Sequence, residues 1–129
     1  MLLSKKLTVI AGASLILLIG LIHLVDASDS MEESSIKGLL FYANSAGAVV
    51  AAIGIWRRAT WGWVLGLLIA AGAFVGYIIS RTVGIFGLPP DVWLEPLGVA
   101  AMLTEALLIG LSAKVLLASA KPARASELQ

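Results

Sequence analysis

Four apolar runs, at residues 7–25, 38–56, 61–79 and 97–118, fill most of a chain of 129 residues. Each is close to the roughly 20 residues that a helix needs to cross about 30 Å of hydrocarbon. One such run could be a buried helix of a soluble protein, but four in succession leave nothing polar enough to cover them. With 60% of residues hydrophobic and 13% charged, too little chain remains for a separate water-soluble domain. The expected fold is all-α: a four-transmembrane-helix bundle over residues 1–118 and a mobile cytoplasmic tail over residues 119–129. Pro122 is expected to stop the last helix, because proline lacks a backbone N–H and crowds the preceding turn.

Lys5 and Lys6 ahead of the first run would also suit a secretory signal, with Val25 and Ala27 as the small residues before a cut at Ser28. At about 19 residues the apolar stretch exceeds a signal core of about 7–15, so an uncleaved first span is expected.

Charge sets the expected orientation. Lys5, Lys6, Arg57, Arg58, Lys114, Lys121 and Arg124 fall on one side; Asp26, Asp29, Glu32, Glu33, Asp91 and Glu95 fall on the other, with Lys37 and Arg81. Short basic segments stay cytoplasmic. Both termini are therefore expected inside, in the inner membrane of a bacterium, with residues 28–37 and 82–96 outside. Trp56, Trp61 and Trp63 by the inner connection, and Tyr42, Tyr77, Phe86 and Trp93 towards the outer side, suit the headgroup layers, although Tyr42 and Tyr77 could also project inward. The connection around residues 58–60 is short enough to make the second and third spans antiparallel neighbours.

Small residues at helical spacing imply close packing: Gly62, Gly66, Ala70 and Ala73 on one face, Gly72 and Gly76 on another, then Ala43, Gly47 and Ala51, and Gly98 with Ala101. Intramolecular packing is the simpler outcome; a homodimer seam on the third span is the other. Ser30, with Glu33 three residues later, has capping-box spacing for a short surface helix or an early extension of the second span. In the stretch 77–96, Pro89 and Pro90 restrict the backbone while Gly84 and Gly87 permit turns, which predicts an ordered outer loop. Asp91 is placed to cap a brief helical turn holding Trp93 and Leu94, and Pro96 suits the first position of the fourth helix.

Polar residues inside apolar runs carry the functional signal. Glu105 lies about 12 Å along the fourth span from Leu97, at roughly 1.5 Å per residue. A carboxylate so deep must be neutral, paired or wet. Asn44 stands about 9 Å inside the second span and needs partners for its amide. His23 near the end of the first span has Asp26 on roughly the same face, a pair able to relay protons or take part in a metal site. Arg81 can either snorkel to headgroups or turn inward to Glu95, Glu105 or an anionic ligand. His23, Asn44, Tyr77, Arg81, Glu95 and Glu105 all fall in the outer half, so the candidate ligand- or partner-binding residues share one end. That asymmetry suits an outward-facing pocket better than a channel.

The Trp61-Gly62-Trp63 turn, the Ser80-Arg81-Thr82-Val83-Gly84 stretch with Pro89, and Trp93-Leu94-Glu95-Pro96-Leu97-Gly98 followed by Glu105 carry a resemblance. On these words the chain, over most of residues 7–118, resembles an uncharacterised family of small bacterial four-span integral membrane proteins; the resemblance implies architecture and no activity. Small four-helix drug exporters differ, since their exchange carboxylate sits in the first span, where this chain has no acid in the apolar interior.

With no cysteine, thiol nucleophiles, disulfides and thiolate metal sites are excluded, and a net charge of +1 gives no nucleic-acid signal. Neither a catalytic residue nor a cofactor is assigned, and the reading favours a non-enzymatic role. Besides the lipid bilayer, a small ligand, a membrane-protein partner or a second copy are the candidate partners. The chain is expected to be an accessory or ligand-binding membrane protein. The alternatives are a proton-coupled transporter using Glu105, and a metal-binding or redox protein using His23 and outer-half carboxylates. A metal would need His23 and Glu105 or Glu95 each at about 2.0–2.2 Å from a shared ion.

Overall fold

The computed structural model describes residues 2–127, with side chains from Ser4 to Ala120. Four helices follow one another: α1 (Leu2–Glu33), α2 (Ser35–Trp56), α3 (Thr60–Thr82) and α4 (Pro96–Glu127). All four are long and apolar enough to cross a membrane. The molecule is a multi-pass four-helix membrane bundle. Packing runs round a ring, α1 on α2, α2 on α3, α3 on α4 and α4 back on α1, with little direct contact across it.

The first reversal takes a single residue. Ser34 is extended at φ −159° and ψ 127°, and its hydroxyl accepts from the Lys37 N–H at the start of α2. This corrects the expectation for Ser30: it lies inside α1, which absorbs the polar stretch 26–33, and the cap falls four residues later. At the opposite end α2 and α3 are joined by residues 57–59, as their short spacing requires. The two backbones meet there, since a Cβ built on Gly54 would lie 2.6 Å from the Gly62 Cα. Only glycines permit that approach, so this end of the α2–α3 pair is sealed by backbone contact.

The core occupies the same half. Ile16 and Ile19 of α1, Ala48, Ala51 and Ile55 of α2, Trp63 and Ala70 of α3, and Leu108 of α4 form one buried cluster. Trp63 departs from its expected headgroup position. It is 4% exposed because its indole reaches across to Gly12 of α1, where a side chain would collide with it. Trp56 and Trp61 remain exposed. The small-residue faces divide likewise: Gly62, Gly66, Ala70, Ala51 and Ala101 are buried between helices, whereas Ala43 and Gly72 are exposed. α1 and α2 are further joined by the Ser45 hydroxyl, which donates to the Gly20 carbonyl at 2.8 Å.

Helix α4 starts at Pro96 as expected, but it runs through Pro122 to Glu127 rather than stopping at the proline. Side chains beyond Ala120 lie outside the described residues, and with them most of the expected tail.

Candidate functional site

Tyr77 and Arg81 are four residues apart on α3 and share a face at the end carrying the α3–α4 connection. The Arg81 guanidinium lies 3.7 Å from the centroid of the Tyr77 ring. Its Nε donates to the Val92 carbonyl at 3.0 Å, Nη1 to the Ser80 hydroxyl at 2.8 Å and Nη2 to Glu95 Oε2 at 3.2 Å. Asp91 Oδ2 stands 3.8 Å from Nη2. The Tyr77 hydroxyl donates to the Trp93 carbonyl at 2.6 Å, and the Asp91 N–H donates to the Ser80 carbonyl at 2.9 Å. A planar fork on an aromatic face is the arrangement that an arginine provides and a lysine does not. Gly98 of α4 makes room for it, since a Cβ there would lie 3.0 Å from the Tyr77 hydroxyl oxygen.

These contacts resolve the two fates open to Arg81. The side chain is only 8% exposed and turns inward to Glu95, not outward to headgroups. Glu105 is not its partner. The expected helical turn after Asp91 is absent; instead the carboxylate accepts from the Val92 N–H at 2.8 Å, within a connection that is non-helical up to Pro96. Gly84 and Gly87 do take positive φ, at 85° and 77°.

Deeper in the bundle, His23 of α1 faces Glu105 of α4. The first is 8% exposed and the second 1%. His23 Nδ1 lies 2.8 Å from the Ile19 carbonyl oxygen, which can only accept. Nδ1 therefore carries the proton, and in the neutral ring Nε2 presents its lone pair. That nitrogen points at Glu105 Oε1 across 3.9 Å, close enough for an ion pair but too far for a direct hydrogen bond. Phe41 of α2 sets its ring edgewise to the imidazole at 4.8 Å between centroids. Glu105 Oε2 and Asn44 Oδ1 are buried without a hydrogen-bond partner, as are the hydroxyls of Ser30 and Ser112. Buried polar atoms are normally bonded, and each exception calls for a reason.

The two clusters line one cavity of about 720 Å³. All six residues singled out from the sequence, His23, Asn44, Tyr77, Arg81, Glu95 and Glu105, contribute to its wall. Only some of them touch: Arg81 with Tyr77 and Glu95, and His23 with Glu105. Asn44 and Glu105 share the cavity without a hydrogen bond between them. Asp26 also lines it, without pairing to His23. Among the described residues, no three His, Cys, Asp or Glu side chains come together in a metal-holding group.

Sequence reading missed Phe41 and did not assign Ser80 or Asp91 to the site. A serine next to Arg81 and an acid in a proline-rich loop carry weak signals. The Val92, Trp93 and Ile19 carbonyls that complete the contacts carry none, because every residue has one.

No family model matches the chain, and comparison with curated proteins and with solved structures finds no match. The family resemblance noted above therefore gains no support beyond the architecture, which is that of a four-helix membrane bundle.

Proposed function

We propose that this protein binds a small molecule in the cavity between its four helices, with Glu105, His23 and Asn44 at the deep end and the Tyr77–Arg81–Glu95 cluster at its mouth. The single observation that carries the reading is a carboxylate oxygen, Glu105 Oε2, buried beside a cavity of about 720 Å³ with nothing to bond it. Small-molecule sites have this character: a concave, mostly apolar space of about 300–1,000 Å³ with a few placed polar groups. The Arg81 contacts serve as a latch that holds the α3–α4 connection over the mouth.

The orientation we infer places this mouth on the extracytoplasmic side and both termini in the cytoplasm, from the distribution of lysine and arginine. A carrier using Glu105 as its switch would need a path to the other side. The Ile16–Ile55–Trp63–Leu108 core fills that half, which favours a binding role over transport. Native mass spectrometry of the full chain released from mild detergent tests the reading. A retained small molecule is expected on the wild type and is lost from Gly76→Phe, which fills open space on the cavity wall. Equal retention by the two would contradict it.

A further inference from the structure

The deep end of the cavity presents three acceptor atoms without a partner. Glu105 Oε2 and Asn44 Oδ1 have no partner, and His23 Nε2 offers a lone pair because Nδ1 is committed to Ile19. The two cationic side chains in the wall are already engaged: Arg81 with Glu95, Ser80 and the Val92 carbonyl, and Lys37 with Glu33 at 2.6 Å. Asp26, Asp29 and Glu105 also line the cavity, and none of the three forms an ion pair with a lysine or arginine among the described residues. An anion would meet uncompensated carboxylates, and a neutral alcohol brings a single donor. A protonated amine brings up to three donors and the opposite charge.

The remaining wall says how such a cation reaches the site. A Cβ on Gly72 or Gly76 of α3 would meet nothing within 4 Å. Leu40 of α2 and Leu68 of α3 line the cavity and are 51% and 64% exposed. The cavity is thus open sideways between α2 and α3, on a surface that hydrocarbon covers in a membrane. An apolar body enters there, and its charged end is drawn to Glu105.

From this we infer that the ligand is a lipophilic ammonium compound, which reaches Glu105, His23 and Asn44 through the gap between α2 and α3. This rests on the binding role proposed above and specifies its chemistry.

Three probes with one apolar body separate the possibilities: 1-naphthylmethylamine, 1-naphthylmethanol and 1-naphthylacetate. Each is titrated against the full chain in nanodiscs by fluorescence, with empty nanodiscs as the partition control. The amine is expected to bind at least about tenfold more tightly than the alcohol or the acid, because a charge-assisted bond is roughly twice as strong as a neutral one. Glu105→Gln is expected to remove that advantage, and Gly76→Phe to weaken all binding. If the alcohol or the acid binds as tightly as the amine, or if Glu105→Gln leaves the amine unaffected, the cation assignment is overturned while a binding cavity remains. If none of the three binds the wild type above the control, both fail.

Discussion

Glu105 is held in place by packing rather than by a bonding partner. One carboxylate oxygen faces His23 at 3.9 Å and the other faces nothing. Burying a charge without full compensation lowers stability, and replacing such a group by an apolar one of similar volume is often neutral or favourable. Glu105→Met is therefore expected to raise the unfolding free energy in detergent by about 1 kcal/mol, measured by denaturant titration. A clear loss instead would show that Glu105 is a structural anchor and not a group kept for a ligand. The carboxylate was legible in the sequence because an acid inside an apolar run must be neutral, paired or wet, whether its role is structural or functional. Its facing partner was not, since His23 lies on another helix and only the packing of α1 against α4 sets the two opposite each other. For Arg81, sequence spacing allowed two directions. The choice was made by the Val92 carbonyl and the Tyr77 face, neither of which is visible before the connection folds.

At the scale of the elements, α2 and α3 behave differently along their length. Near residues 57–59 they touch through Gly54 and Gly62, and further on the gap opens beside Gly72 and Gly76. The same residue type serves opposite ends, close approach in one place and empty space in the other. Sequence spacing alone cannot tell these apart, because both sets repeat at helical intervals. Gly62→Leu is expected to cost about 3 kcal/mol or more, or to prevent folding, since a side chain there meets backbone that cannot yield. Gly72→Leu is expected to change stability by less than about 1 kcal/mol. Thermal unfolding of the two variants in one detergent gives the comparison, and similar losses would contradict the packing. The boundary of α1 shows a related limit. The Ser30–Glu33 spacing reads as a cap, yet the helix continues to Glu33 because Ser34 offers the reversal that α2 needs.

For the molecule as a whole, the four spans were legible from hydropathy alone, because lipid leaves the backbone few alternatives to helix. Which way the bundle sits is a separate matter of charge. The chain has no cysteine, so single cysteines report topology cleanly. An introduced Ser28→Cys or Val92→Cys is expected to react with a membrane-impermeant maleimide in intact cells, and Arg57→Cys only after permeabilisation. The reverse pattern would put the cavity mouth on the cytoplasmic side.

The most direct measurement is labelling by dicyclohexylcarbodiimide, a lipid-soluble reagent for carboxyl groups in apolar surroundings, followed by peptide mass mapping. Glu105, 1% exposed yet bordering the cavity that we infer to open to hydrocarbon, is expected to carry the principal adduct in membranes, and Gly76→Phe to suppress it. Labelling confined to surface acids such as Glu32 and Asp91, or Glu105 labelling indifferent to Gly76→Phe, would mean that no small molecule reaches this carboxylate from the bilayer.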